Sequence, residues 1–225
     1  MKTIDTLEGL AMPELDYQHQ NIWPNDFGQQ QSPIALTDAI PADAIELAIT
    51  QPWRINQEID DATCIRLNGI GQTIIDAQPF QFQQAHFHAP AEHFVNSDVV
   101  AELHLVHQSA VGGLAVIGLP IYLGKANATF QSVLNHFERR HTTAIELELT
   151  TLLPSHGYLY HYIGSLTTPP LTEGVQWYLI DDKKLTVSPQ QLAAYQASFV
   201  PNNREIQVRN HRRLLYQAFQ IKERR

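Results

Sequence analysis

The sequence predicts an α+β domain that is mainly β, and two observations carry this prediction. Segments rich in β-branched and aromatic residues recur along the chain, often with apolar and polar residues in alternation. Only two segments show the spacing of a helix with one apolar face. Because no repeat, low-complexity tract or Gly/Ser-rich linker divides the 225 residues, we expect a single domain over residues 1–225.

Six segments are predicted to be strands, because their alternation would send every second side chain to the same face of a sheet. They are residues 44–50, 64–77, 80–88, 101–108, 114–124 and 174–180. Gly112 and Gly113 stand between the fourth and fifth segments and predict a hairpin turn there.

Two segments are predicted to be helices. In residues 128–140 the apolar side chains fall at helical spacing, namely Phe130, Val133, Leu134 and Phe137. Residues 189–199 follow Ser188, a favoured N-cap residue, and begin with Pro189, which fits the first turn of a helix. Both segments are short, so strands dominate the prediction.

Composition argues against several classes of partner. The formal charge of −8 and the pI near 5.7 do not suit a nucleic-acid backbone, and we expect no nucleic-acid partner. No stretch approaches the roughly 20 apolar residues of a membrane span. The single cysteine, Cys64, has no second cysteine to pair with. No signal peptide is recognisable, so the expected location is cytoplasmic, with a periplasmic or secreted location as the alternative if a signal peptide has been removed.

Histidines are concentrated in two of the predicted strands. In HFHAPAEH, alternation projects His86 and His88 from one face of the strand while Phe87 points to the other. In AELHLVHQ, His104 has the parity that brings it beside them if the two strands are neighbours. Three neutral imidazoles converging from a rigid sheet suit a tetrahedral zinc ion with its fourth position open, as in a catalytic site.

Two other interpretations of these histidines stay open at this point. A single histidine in a strand is more often a hydrogen-bonded or exposed group than a metal ligand. The spacing of His86, His88 and Glu92, HxHxxxE, is similar to the first motif of cupins, which bind iron or manganese. That motif usually begins with a glycine where this chain has Phe80, and the second cupin motif is not found.

A resemblance to a known enzyme family rests on several motifs in order. YIGSLTTPPLTEGVQW, HFHAPAEH and AELHLVHQ resemble the α-class carbonic anhydrases of bacterial type, and QSPI, LAVIG, NNREIQ and Arg212 extend the similarity over residues 17–212. The resemblance implies one domain around a large, twisted, mostly antiparallel central sheet with a few short peripheral helices. It also implies a sulfonamide-sensitive zinc lyase that hydrates CO2 reversibly to bicarbonate and a proton through metal-bound hydroxide.

Carried over residue by residue, the resemblance makes His86, His88 and His104 the zinc ligands. In the family, a threonine hydroxyl accepts a hydrogen bond from the hydroxide and donates its own proton to a buried glutamate. The matching residues are Thr167 and Glu92. This relay would aim the hydroxide lone pair at the substrate.

Other matching positions support the ligands and the substrate. Gln84 and Glu102 would each accept an imidazole N–H, and Asn202 matches the residue whose backbone carbonyl holds the second ligand. Thr168 matches the residue that contacts bicarbonate. The apolar wall that receives CO2 corresponds to Val106, Val116, Leu166 and Trp177. Matches to buried structural positions are His93, Tyr162 and His107.

The chain departs from the family at the proton shuttle. The frequent shuttle histidine follows a glycine in a segment similar to N-x-G-H, whereas this chain reads NGIGQTI with Gln72 at that position. An amide does not titrate near neutral pH. We therefore expect hydration that is limited by proton transfer and depends on buffer, with His19 as another candidate shuttle whose position relative to the site the sequence does not give.

The sequence leaves two alternative functions open and also suggests partners and an assembly state. A non-catalytic binding protein on the same fold is one alternative, but such relatives characteristically lack one or more zinc ligands, and all three are present here. An esterase that uses the same zinc site is the other. The expected partners are CO2 and bicarbonate, and sheet edges with a surface helix would support a homodimer.

Overall fold

Eleven strands form one mixed sheet in residues 15–25 and 28–223, the part of the chain that the computed structural model describes. In chain order they are β1 (Ile40–Pro41), β2 (Ile45–Asp60), β3 (Ile65–Ile75), β4 (Gln78–His88), β5 (Val99–Ser109), β6 (Leu114–Leu123), β7 (Thr142–Glu148), β8 (His156–Ser165), β9 (Glu173–Ile180), β10 (Thr186–Val187) and β11 (Leu215–Glu223). The helices are α1 (Ala128–His136) and α2 (Pro189–Ser198), with short 3-10 turns at Gln20–Ile22 and Thr150–Leu152.

The strand order is β1-β11-β8-β9-β6-β5-β4-β3-β2-β7, with β10 beside β6. Most neighbours are antiparallel, and the parallel pairs are β1–β11, β10–β6, β11–β2 and β6–β9. Since β11 pairs with β8 on one side and β2 on the other, the last strand closes the sheet on itself. The predicted mainly β class and mostly antiparallel sheet are confirmed.

The predicted strands are all present, with changed bounds. The segment 44–50 continues to Asp60, and the segment 64–77 ends at Ile75, where a turn leads directly into β4. The sequence prediction missed β7, β8 and β11, as well as the two-residue strands β1 and β10. In β7 the run ELE has weak strand propensity, and the strand depends on antiparallel pairing with β2.

Both predicted helices are present. The first ends at His136 instead of residue 140, because Phe137 already has extended dihedral angles, φ −65° and ψ 124°. The second begins as predicted, with Ser188 and Gln191 forming a reciprocal capping box. No helix in the described ranges is both long and apolar enough to span a membrane.

The helices pack on one face of the sheet and build the main core there. Phe87 of β4 contacts Phe130 of α1 and Tyr195 of α2, with ring centroids 5.1 and 6.0 Å away. Ala85 and Leu105 belong to the same buried cluster. Because alternate side chains leave opposite faces of a strand, burial of Phe87 forces its neighbours in sequence onto the other face of the sheet.

A buried carboxylate in β2 sets a pH dependence of stability. Glu58 is only 2% exposed, and neither carboxylate oxygen has a hydrogen-bond partner among the described residues. Burial raises the pKa of Glu58 to about 7, against a smaller opposing effect of the His136 charge. The folded protein therefore holds this proton more tightly than the unfolded chain does, and stability falls as the pH rises from about 4.3 toward 7.

We expect Glu58→Gln to remove this pH dependence. At about pH 8 the variant should be more stable than the parent by roughly 1–3 kcal/mol, and at about pH 4, below the unfolded pKa, the two should nearly coincide, because one pKa unit corresponds to about 1.4 kcal/mol. Urea unfolding at both pH values measures the difference. An equal difference at the two pH values would contradict this account of Glu58.

Candidate metal centre

The structure brings His86, His88 and His104 together on the face of the sheet opposite the helices. β4 and β5 are antiparallel neighbours, and His86 lies directly opposite His104 in the register. Ring centroids are 5.0 Å apart for His86 and His88, 5.2 Å for His86 and His104, and 4.6 Å for His88 and His104. One nitrogen from each ring lies within 4.8 Å of the others, so the three rings form a cluster that could hold a metal ion.

Each of these rings uses one nitrogen in a hydrogen bond to an oxygen. The pairs are His86 Nδ1 with Gln84 Oε1 at 2.8 Å, His88 Nδ1 with Asn202 O at 2.7 Å, and His104 Nε2 with Glu102 Oε1 at 2.9 Å. An imidazole N–H that donates to oxygen leaves the other nitrogen as a lone-pair donor. His88 Nε2 is buried and has no hydrogen-bond partner among the described residues. The free nitrogens are therefore His86 Nε2, His88 Nε2 and His104 Nδ1, a donor set that fits zinc.

Glu102 holds the third ring and is itself held by four donors. It accepts hydrogen bonds from His93 Nδ1 at 2.8 Å and His104 Nε2 at 2.9 Å, and from the backbone N–H groups of Glu92 at 3.0 Å and His93 at 2.8 Å. Burial alone would raise the pKa of Glu102, but the neighbouring His93 and His104 hold it well below its usual range. His93, Glu102 and His104 also satisfy the spacing of a metal site. Their hydrogen bonds to one another explain that proximity, so Glu102 orients the His104 ring.

Asn202 anchors the second ring from a loop that lies far away in sequence. Its side chain donates to Phe87 O and accepts from the Ala89 N–H, both at 2.9 Å. These two bonds fasten the loop to the end of β4, on either side of His88. The Asn202 carbonyl is thereby fixed where it accepts the His88 N–H, which agrees with the role that the resemblance implies.

Burial favours the neutral forms of His86 and His88, whereas the neighbouring Glu102 carboxylate raises the pKa of His104. Burial lowers the pKa of both His86 and His88, and for His86 the charges of the other two rings and of Arg66 lower it further. Burial would also lower the pKa of His104, but the Glu102 carboxylate raises it overall. Neutral imidazoles beside buried carboxylates suit a bound cation.

Glu92 lies against this cluster, and one of its oxygens is free. Oε1 accepts the backbone N–H of Arg204 at 2.8 Å, whereas Oε2 is buried, has no hydrogen-bond partner within the described ranges, and lies 3.9 Å from His104 Nδ1. Thr167 is 5% exposed. The hydrogen bond from Thr167 to Glu92 that the resemblance implies is not formed in this structure, but the oxygen that would accept it is available.

An apolar wall stands beside the cluster. Val106 of β5 is in register with Val116 of β6, which is in register with Trp177 of β9, so the three side chains follow one row across the sheet. The Trp177 ring centroid lies 4.9 Å from that of His104. Leu166 packs against the same group. These four predicted pocket residues therefore lie together, and Thr168 lies in the adjoining turn, where its carbonyl accepts the Leu171 N–H.

A polar wall lies on the other side and was not singled out from the sequence. Arg66 and Asn68 of β3 are in register with His86 and Gln84 of β4, and share their face of the sheet. Arg66 Nη1 forms an ion pair with Asp61 Oδ2 at 3.1 Å. Both polar residues have even numbers, and alternation within the predicted strand 64–77 places even-numbered side chains on one face. Alternation alone could therefore have identified them in the sequence.

The register places Gln72, one of the two expected shuttle positions, away from the cluster along β3. Gln72 is opposite Gln81, six positions along β3 from Arg66, which is about 20 Å at 3.3 Å per residue. Its Oε1 accepts a hydrogen bond from Thr50 Oγ1 at 2.6 Å. His19 has an exposed side chain whose Nδ1 lies 2.6 Å from Asp16 Oδ2.

The buried residues matched to structural positions take part in hydrogen bonds away from the free nitrogens. His93 Nε2 lies 2.7 Å from Tyr162 Oη, which lies 2.8 Å from Ser32 Oγ. His107 projects to the helix side of the sheet, where its Nδ1 donates to Leu105 O at 2.9 Å. Neither ring offers a nitrogen to the three-histidine cluster.

Comparisons with known proteins agree with one another. The model of the family described as eukaryotic-type carbonic anhydrase matches residues 17–220. A carbonic anhydrase of Pectobacterium atrosepticum is 32% identical over 197 residues, covering 84% of this chain and 80% of the relative. The α-carbonic anhydrase structure of Photobacterium profundum superimposes with a TM-score of 0.78 at 28% identity, covering 84% and 89% of the two chains. The Thermovibrio ammonificans α-carbonic anhydrase, solved with the inhibitor sulfanilamide, gives a TM-score of 0.77 at 30% identity, covering 84% and 87%.

Proposed function

The chain belongs to the eukaryotic-type carbonic anhydrase family, and from this premise we propose that it hydrates CO2 with a zinc ion held by His86, His88 and His104. The observation that carries the proposal is the orientation of the three buried rings. Each is fixed by a hydrogen bond at one nitrogen and leaves the other free toward a common point. Three such nitrogens and an open fourth position are typical of catalytic zinc.

Zinc bound there would lower the pKa of a coordinated water to about 7 and so supply hydroxide at neutral pH. The protein's own part is to fix the ligand tautomers through Gln84, Glu102 and Asn202. Each of these residues accepts the N–H of one ring, so no ring can turn its protonated nitrogen toward the metal position.

Glu92 and Thr167 would orient the nucleophile. The Arg204 N–H occupies one carboxylate oxygen of Glu92, and the remaining oxygen can only accept. If the Thr167 hydroxyl donates its hydrogen to this oxygen, the hydroxyl oxygen can only accept a hydrogen bond from the nucleophile. Thr167 would therefore select a nucleophile that carries a proton. Thr168, next in the chain, would contact the bicarbonate product.

The apolar wall fits the substrate. CO2 has no charge and no hydrogen-bond donor, so a site can hold it only through shape and apolar contact. Val106, Val116, Leu166 and Trp177 provide such a surface, and the Trp177 ring lies 4.9 Å from the His104 ring. The polar wall with Arg66 and Asn68 lies on the other side of the cluster, toward β3.

Stopped-flow CO2 hydration by the zinc-loaded protein tests the proposal. We expect hydration that disappears after zinc is removed by a chelator, returns when zinc is added back, and is inhibited by a sulfonamide. Protein that binds one zinc per chain and still shows no hydration above buffer would overturn the proposal and favour a binding protein on the same fold.

We further propose that proton export limits turnover. No histidine in the described ranges lies beside the cluster on the polar wall, where the residues in register with Gln84 and His86 are Asn68 and Arg66. Neither is a histidine, the side chain best suited to relay protons near neutral pH. The turnover number in weak buffer should therefore rise severalfold when imidazole is added, and a turnover number independent of buffer would contradict this.

Two histidine variants locate the shuttle position. Asn68→His places an imidazole opposite Gln84, close to the cluster, whereas Gln72→His tests the position that the resemblance implies. We expect Asn68→His to raise turnover in weak buffer more than Gln72→His, because proton relay through water weakens with distance. A larger gain for Gln72→His would show that the segment around Gln72 lies nearer the site than β3 places it.

A further inference from the structure

The polar wall of this site carries a permanent positive charge. We propose that Arg66 is a binding residue for bicarbonate, holding this oxyanion beside the metal centre while contributing nothing to the binding of CO2. The inference rests on the proposed function and extends it, since it assigns a residue to the charged member of the substrate pair. The resemblance gives Arg66 no role, so the assignment comes from its place in the sheet.

The register of the sheet places Arg66 next to a metal ligand. β3 and β4 are antiparallel, and Arg66 lies directly opposite His86. Side chains directly opposite each other in an antiparallel pair share one face and have Cβ atoms about 5 Å apart. Arg66 therefore stands on the side of His86 away from β5, so an anion at the cluster would lie between a cationic wall and the apolar wall that includes Val106.

The guanidinium has unused donors in this position. Only Nη1 is engaged, by Asp61 Oδ2 at 3.1 Å, and Nε is buried without a hydrogen-bond partner among the described residues. A guanidinium presents its N–H groups in a planar fork that matches a carboxylate-like anion. Asp61 anchors one arm of the fork, and the other donors stay available for two oxygens of bicarbonate.

The ion pair with Asp61 is better suited to holding Arg66 in place than to stabilising the fold. The side chains are 36% and 44% exposed, and ion pairs at such exposure contribute little to stability. Partial exposure also gives an anion access from solvent. Arg66 thus combines a fixed charge, free donors and an open approach beside the ligand cluster.

Titration of the cobalt-loaded protein with sodium bicarbonate tests the inference, because the visible spectrum of cobalt reports an anion at the metal centre independently of turnover. The dissociation constant is measured for the parent, Arg66→Gln and Arg54→Gln at one pH and ionic strength. Arg54 is a matched control, being an exposed arginine on β2, one strand further from the cluster. We expect Arg66→Gln to weaken bicarbonate binding about tenfold, as for loss of a charge-assisted hydrogen bond, and Arg54→Gln to leave it within about twofold.

Several outcomes decide the matter. An unchanged dissociation constant in Arg66→Gln overturns the assignment. Equal weakening of bicarbonate binding in Arg66→Gln and Arg54→Gln also overturns it, because it shows only a long-range effect of net charge. Asp61→Asn guards against a folding defect in Arg66→Gln, since it breaks the same ion pair but keeps the guanidinium. It should weaken bicarbonate binding clearly less than Arg66→Gln does, because only the anchor of Arg66 is lost. Weakening in Asp61→Asn equal to that in Arg66→Gln also overturns it. A parent protein that takes up no cobalt overturns both the proposed function and this inference. If cobalt binds normally and Arg66→Gln leaves the dissociation constant unchanged, only the role of Arg66 is overturned.

Discussion

His104→Asn is expected to abolish stoichiometric zinc binding and to lower CO2 hydration by more than about 100-fold, since even residues that only support a ligand cost 10–100-fold when changed. The His104 ring stands opposite His86 and within 4.6 Å of the His88 centroid, so its loss removes one side of the cluster. Asparagine is too short to carry a donor atom to the same point. Zinc content after dialysis and stopped-flow rates measure the two effects.

His107→Asn is the matched control for this variant. His107 lies three positions along the same strand and is equally buried, but its ring is on the opposite face, near Thr73 and in edge contact with the rings of Trp53 and Phe82. Its loss should cost about 1–3 kcal/mol of stability through unpaired buried groups. It should leave zinc content unchanged. Equal zinc loss in both variants would mean that damage to β5, and not loss of a ligand, explains the effect.

Glu102→Gln is expected to lower zinc affinity by about 10–100-fold. Four donors converge on this carboxylate, including the N–H of the His104 ring. An amide has one acceptor oxygen and brings two N–H groups into a place that already holds only donors. Its NH2 would therefore face another N–H, and the His104 ring would lose the bond that fixes its tautomer.

Glu58→Gln is the matched control, because it makes the same substitution at another buried glutamate. Both glutamates are nearly fully buried, but Glu58 receives no hydrogen bond from the described residues, whereas Glu102 receives four. Competition with a chromophoric chelator gives the zinc dissociation constants. We expect weaker zinc binding and lower stability for Glu102→Gln, and unchanged zinc binding for Glu58→Gln. A Glu102→Gln variant with parental zinc affinity would show that Glu102 does not orient His104.

The histidine cluster could be predicted from the sequence because it depends on a local rule. Alternation fixes which face His86, His88 and His104 take, and only one further condition, that their strands are neighbours, was needed. The helix start at Ser188 was predictable for a similar reason, since capping involves residues adjacent in sequence.

Features that depend on distant pairing were not predictable in this way. The strand β11 gains its partners β8 and β2 only when the sheet closes, and its own run LYQAFQIKE gives a weak signal. The place of Gln72 depends on an irregularity in the β3–β4 register between Asn68 and Gln72, which displaces everything beyond it. Arg66 resembles an ordinary surface residue in the sequence, and only the register shows that it lies opposite His86.

Anomalous diffraction at the zinc absorption edge, from crystals of the zinc-loaded protein, tests the central claim most directly. The account predicts one strong peak bonded to His86 Nε2, His88 Nε2 and His104 Nδ1, with Glu102 bonded to His104 and not to the metal. A peak bonded instead to His93 or Glu102, or no peak at the three free nitrogens in protein that carries one zinc per chain, would contradict it.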